Sequence, residues 1–275
     1  MLALKLGLSL VSSNKGGGET FFLDEYSGAA VAYSLRKLSS SITNVIRVRE
    51  SGANAEQDFT SSEITDGTLT TFTGSNDGFV TTWYDQSGNS RDASNTTAAN
   101  QPKIVSSGSL ILSDLSKPTV QYDASNDLLS LASDVTLTSD KSILFVAQAD
   151  STQVYSDILG DTDTSTQHIL IYGSKVRYKP GTGVNVSGTG ENRGSNKLWS
   201  LIVDSSNELF IKRNATSYGT STDGAVANDF IFSCIGSNLT VNNPDNITEV
   251  IIYQTDKSSQ LSDMETNIND FYSIY

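Results

Sequence analysis

Residues 83–89 read WYDQSGN, an aromatic pair running into an acid, an amide, a hydroxyl, a glycine and a second amide. That composition suits the lip of an active site, and it also suits the turn that ends a strand. Phe79, Val80, Trp83 and Tyr84 supply the apolar side chains of a strand that stops at Asp85. Ser87, Gly88 and Asn89 tolerate positive φ, and the Asp85 and Asn89 side chains can bond backbone amides of the same turn. Asp85, Gln86, Gly88 and Asn89 are therefore expected to form a structural turn.

Other residues raise other chemistries. Asp161 and Asp163 in DTDTST (161–166) alternate oxygen ligands like the start of a calcium loop. The segment lacks the sixth-position glycine and distal glutamate of an EF-hand. A solvated acidic turn is the plainer expectation. Calcium is the one cofactor weighed, and otherwise none is expected. Sugar binding needs an exposed aromatic ring beside amides or acids. Tyr178 and Tyr218, read as loop aromatics near Asn and Gly, and Asn238 are the ligand-binding candidates, whereas Trp199 alternates with Leu198 and Leu201 as a core residue. His168 is the only histidine, which argues against histidine-centred catalysis and a multi-histidine metal site. Cys234, the only cysteine, lies in the apolar run FIFSCIG and reads as a buried thiol.

The elements that must position these residues are mostly strands. From residue 100 onward, apolar runs recur about every ten residues, separated by Gly, Asn, Asp and Ser: DLLSLAS, SILFVAQA, QHILIYG, KLWSLIVD, DFIFSCIG and NITEVIIYQ among them. Upstream, VIRVRE (45–50) and GFVTTWYDQSG (78–88) read as strands and DGTLTTF (66–72) as one helical turn. Ala30, Tyr33, Leu35 and Leu38 share a helical face, which predicts a short helix within 27–40. Leu261, Met264, Ile268 and Phe271 or Tyr272 predict an amphipathic C-terminal helix capped by Ser258 or Ser259. The pattern is all-β, an antiparallel jelly-roll sandwich with a short N-terminal and a C-terminal helix.

The net charge of −13 repels nucleic acid, and no basic cluster offsets it. No apolar run approaches the ~20 residues that span a bilayer, so no membrane insertion is expected. Leu2, Leu4, Leu6, Leu8 and Leu10 alternate with Ala3, Lys5, Gly7 and Ser9, a strand pattern rather than a signal peptide. The glycine-rich SSNKGGGET follows as a hinge. Residues 1–18 thus read as an arm that pairs with its own sandwich or docks on a neighbour's sheet edge, and residues 19–275 as the sandwich domain.

VQYDASNDLLSLAS (120–133), with Asp123, Asn126 and Asp127 in its turn, resembles the "FDGSDDYLSL" segment of concanavalin A-like (laminin-G-like) jelly rolls. LWSLIVDSSNELFIKRN (198–214) and the helix after EVIIYQTD fit the same class. The earlier segments AYSLRKLSSSITNVIRVRE, LTTFTGSNDGFVTTWYDQSGNSRDAS and QPKIV look like a module of bacteriophage virion proteins. They are also similar to the start of the α-L-arabinofuranosidase B catalytic domain. That resemblance implies a Glu nucleophile after a buried strand, an adjacent cysteine pair, and an Asp acid after a Gly-Gly turn. In this chain VYSDILGDTDTSTQ (154–167) offers only Asp161 and Asp163, without a cysteine pair, and CIGSNLT (234–240) places Asn238 where the acid belongs. Asparagine cannot deliver a proton to a leaving group.

The resemblance therefore implies a non-enzymatic virion structural protein on the phage surface: a capsid decoration, head fibre or tail component. It would join other virion proteins through the arm, as a homo-oligomer with a trimer expected, and present a lectin-like face to host glycans. A glycoside hydrolase related to arabinofuranosidases is the alternative, and a free lectin-like adhesin a third.

Overall fold

The computed structural model describes residues 20–123, 125–138, 140–149, 156–162, 167–173, 175–181, 184–187, 194–236 and 246–275. The leucine arm, Asp163 and Asn238 lie outside them. All the strand ladders among the described residues are antiparallel.

The ladders form two layers. In one, the strands Thr216–Ser221, Leu209–Arg213, Lys197–Val203, Lys141–Gln148, Asn246–Tyr253 and Ala29–Ser34 follow in spatial order. In the other, Val184–Ser187, Lys175–Pro180, Gln167–Tyr172, Ser156–Gly160, Phe230–Gly236 and Leu128–Leu137 lie side by side. This second layer continues through Ala93–Ser94 to Gly78–Trp83, Ile46–Glu50 and Glu56–Phe59. Short ladders through Lys103–Ser106 and Val120–Gln121 join the layers. The core between them contains Tyr33, Trp83, Phe145, Trp199, Phe232 and Ile252.

Four strands of the first layer, Lys197–Val203, Lys141–Gln148, Asn246–Tyr253 and Ala29–Ser34, are covered on both faces, whereas Leu209–Arg213 and Thr216–Ser221 keep exposed positions. Alternate residues of the four (Ala32, Leu144, Val146, Leu198, Ile202, Ile251, Tyr253) pack outward against Leu261, Met264, Ile268 and Tyr272 of the helix Leu261–Tyr272. Phe22, Leu23 and Tyr26, in and just after the helix Phe22–Glu25, complete that cover. Burial on both faces explains why these strands read as continuous apolar runs rather than alternating ones.

The same fact corrects one sequence expectation. The predicted helix within 27–40 is instead the strand Ala29–Ser34, buried at every position. A short apolar run has no periodicity that separates a doubly covered strand from a buried helix. The N-terminal helix lies just upstream, at Phe22–Glu25. The C-terminal helix begins after Gln260 with no side-chain cap, so neither Ser258 nor Ser259 caps it. Thr68–Thr73 is helical, and Trp199 and Cys234 are fully buried.

Candidate functional site

The WYDQSGN turn sits against the outer edge of the strand Ala29–Ser34, whose other edge pairs with Asn246–Tyr253. The Asp85 carboxylate is buried and accepts from the Ala32 amide (2.9 Å), the Ser87 amide (2.9 Å), the Ser87 hydroxyl (2.7 Å) and the Arg91 amide (3.2 Å). The Gln86 amide donates to the Ala32 carbonyl at 2.8 Å. The Gln86 side chain accepts from the Leu38 amide (2.7 Å) and donates to the Ser34 and Arg36 carbonyls (2.9 and 3.0 Å). Asn89 donates to the carbonyls of Ala29 and Ala30 (2.9 and 3.0 Å), and Gly88 takes φ +87°. The turn thus replaces the neighbouring strand that an exposed edge would otherwise lack. Four donors surround the Asp85 carboxylate, as many as its lone-pair sites. Tyr84 donates to Asp58 at 2.7 Å, and burial followed by that carboxylate pushes its hydroxyl up to about 12.

Tyr178 and Tyr218 are not loop aromatics. Tyr178 lies in the strand Lys175–Pro180, fully buried, its ring centroid 5.3 Å from Phe230. Tyr218 lies in Thr216–Ser221, 9% exposed, packed edge-on against Trp199 at 5.1 Å. Neither presents an open face to a sugar. Their Asn and Gly neighbours suggested loops, but inward alternation along their strands buries the rings. Asp161 is also buried rather than solvated, and accepts from the Ser233 hydroxyl at 3.3 Å.

A cleft of about 400 Å³ is lined by Phe79, Gln101, Lys103, Gln121, Tyr122, Asp123 and Asp127. Asp123 accepts from the amides of Ser125 (2.9 Å) and Asn126 (3.1 Å), and Asp127 from the Asp123 amide (2.9 Å). Burial, and then the Asp123 charge, push the Asp127 carboxyl up to about 7. Behind it lie Tyr122 and Gly236, where an added Cβ would meet the Tyr122 ring at 2.5 Å. Sequence reasoning placed Asp123 and Asp127 in a turn and missed this cleft. Phe79, Gln101 and Lys103, which complete it, come from segments some 20–50 residues upstream.

A larger groove, about 560 Å³, opens on the covered side of the first layer. Arg36 forms part of its floor and is ion-paired beneath it, Nε to Glu249 at 2.7 Å, with the Glu249 side chain 1% exposed. Arg36 also donates to the other Glu249 oxygen (3.0 Å) and to Asn267 (3.0 Å), and Ser34 and Tyr272 donate to Glu249 at 2.7 and 3.1 Å. The walls carry Lys37, Lys117, Phe21, Phe271, Ser61, Ser62 and Thr65. No sequence signal marked this groove, because its residues come from segments up to some 250 positions apart.

No family model and no curated protein matches the sequence. Among solved structures, the chain is similar to a GH54 α-L-arabinofuranosidase mutant soaked with 4-nitrophenyl α-L-arabinofuranoside, at 12% identity and a TM-score of 0.64. It is also similar to an arabinofuranosidase complexed with arabinofuranosyl-α-1,2-xylobiose, at 13% identity and a TM-score of 0.63. Each alignment covers 87% of this chain and 62% of the other, so the chain spans less than two thirds of those proteins. The described residues form an antiparallel β-sandwich that shares its fold with these arabinofuranosidase structures.

Proposed function

We propose that this chain is a non-enzymatic, lectin-like sandwich of a bacteriophage virion structural protein, presented toward host glycans. The observation that carries the non-enzymatic part is Asn238 where the arabinofuranosidase resemblance places the acid, since an amide cannot deliver a proton to a leaving group. The shared WYDQSGN motif has a structural use of its own: Asp85 and Gln86 bond the strand Ala29–Ser34, the residues just after it and their own turn. The virion setting is supported by the resemblance of residues 32–105 to phage modules and by the alternating leucines before a glycine hinge. In that setting residues 1–18 dock the sandwich on its particle, and several covered leucines at ~25 cal/mol per Å² supply a few kcal/mol. Mass spectrometry of purified particles tests the setting: the chain recovered in stoichiometric amount supports it, and its absence from particles in lysates that contain it refutes it.

The second reading, a glycoside hydrolase, is favoured by the likeness to arabinofuranosidase structures across 87% of the chain. Hydrolysis of 4-nitrophenyl arabinofuranoside separates the two. The first reading expects release no faster than in buffer, and steady turnover lost on Asp163→Asn would establish the second.

A further inference from the structure

We propose that the 560 Å³ groove is a binding site for an acidic saccharide, its carboxylate held by Lys37 and Lys117 and its ring by Phe271. The assignment rests on the glycan-facing reading above and names the class of sugar. The groove has the size of small-molecule sites, about 300–1,000 Å³.

Charge distribution is the first argument. The chain has 18 Lys and Arg against 31 Asp and Glu. Yet the lining includes Arg36, Lys37 and Lys117 and not one acid among the described residues. Arg36 is committed to Glu249 beneath the floor. Lys37 and Lys117 have no carboxylate partner among the described residues. Their ammonium groups rest over rings instead, Lys37 at 5.0 Å from the Phe21 centroid and Lys117 at 4.5 Å from that of Phe271. A cation over an exposed ring is weakly held, and a carboxylate outcompetes the ring through a charge-assisted hydrogen bond.

The second argument is what surrounds the cations. A site for a bare anion needs only donors. This one adds the Phe271 ring, 38% exposed, over which Arg36 lies at 5.1 Å as well as Lys117; when Lys117 turns to the carboxylate it uncovers ring surface for a sugar to stack on. Ser61, Ser62 and Thr65 supply hydroxyls, and Asn267, whose carbonyl oxygen is taken by Arg36, still has its amide donors for ring hydroxyls. Cations, an exposed ring and short polar side chains around one groove match a ring that carries both hydroxyls and a carboxylate.

The test is calorimetric or NMR titration of the full chain with hexuronate-containing disaccharides, their neutral hexose counterparts and inorganic phosphate. The expected result is binding of the acidic members alone. It should weaken about tenfold or more in Lys37→Gln and in Lys117→Gln, and fall as salt is raised. Phe271→Ala keeps both charges and should also weaken binding, a loss that phosphate would not register. Both lysines and Phe271 lie at the groove surface, and circular dichroism checks that each variant folds. Binding of neutral sugars only overturns the acidic-sugar assignment while the glycan-facing reading stands. Acidic sugars bound undiminished by the variants overturn the groove as their site. Equal displacement by phosphate reduces the groove to an anion site and overturns the proposal. Failure of the whole panel brings down both readings.

Discussion

In the turn at 84–89 the buried carboxylate of Asp85 is ringed by the amides of Ala32, Ser87 and Arg91 and by the Ser87 hydroxyl. In the turn at 123–127 the buried carboxyl of Asp127 accepts the Asp123 amide and lies beside the Asp123 charge, with its pKa pushed up to about 7. The two stretches draw on the same few residue types. What differs is the origin of the donors. The Ala32 amide reaches Asp85 across 53 residues and is part of a strand edge that lacks a neighbour. Asp127 accepts the amide of Asp123 within its own turn, where burial and the Asp123 charge outweigh that bond and the Lys103 charge. An aspartate in a turn is thus a clip or a titratable group according to which distant backbone meets it.

Four substitutions sharpen that contrast. Asp85→Ala should have the largest effect, because it leaves the Ala32, Ser87 and Arg91 amides without their acceptor. At roughly 1–3 kcal/mol per stranded buried group, a loss of about 4 kcal/mol is expected in urea unfolding. Stability within 1 kcal/mol of wild type would mean that the strand edge does not depend on the clip.

Asp127→Asn should act in the opposite direction. A carboxyl near 7 in the folded chain and near 3.9 unfolded binds its proton more tightly when folded. Its contribution to stability is present at low pH and is lost as pH rises from about 4 to 7. Asparagine removes that loss while keeping an acceptor for the Asp123 amide. The variant should therefore gain on the order of 3 kcal/mol over wild type at pH 8, shrinking to nothing below pH 4. The difference must be taken at each pH, since His168, lowered to about 4 by burial and by Lys179 and Arg177, contributes the opposite slope. A gain that does not vary with pH would contradict a titrating Asp127.

Gln86→Leu strands the Leu38 amide and two carbonyls and should cost about 2 kcal/mol, measured the same way. Tyr84→Phe, on the same turn, removes one half-exposed bond to Asp58 and should cost about 1 kcal/mol or less. If Tyr84→Phe cost as much as Asp85→Ala, the turn would be held by its rim rather than by its buried carboxylate.

The strands and the C-terminal helix were legible because their apolar periods are local. SILFVAQA, DFIFSCIG and NITEVIIYQ appear as Lys141–Gln148, Phe230–Gly236 and Asn246–Tyr253. Leu261, Met264, Ile268 and Tyr272 share the helix's buried face. The residues around Ala29–Ser34 were misread as a helix because a strand covered on both faces carries no alternation. Tyr178 and Tyr218 were misplaced for a related reason: polar neighbours marked them as loop residues, while their rings lie in the core cluster against Phe230 and Trp199. The groove lined by Lys37, Lys117 and Phe271 left no trace in the sequence. Lys37, Lys117 and Phe271 meet only because the C-terminal helix folds over the first layer.

The amino-acid sequence by itself determined the all-β class, the strand spacing, the amphipathic closing helix and the turn-forming chemistry of the Asp-rich stretches. These depend on side-chain period and backbone preference within about ten residues. Only the tertiary structure decided which strand faces are covered twice, which aspartate is met by donors and which titrates near neutrality, and where unpaired cations gather on an acidic protein. Each of those depends on groups brought together from remote positions, and burial and charge act through space rather than along the chain.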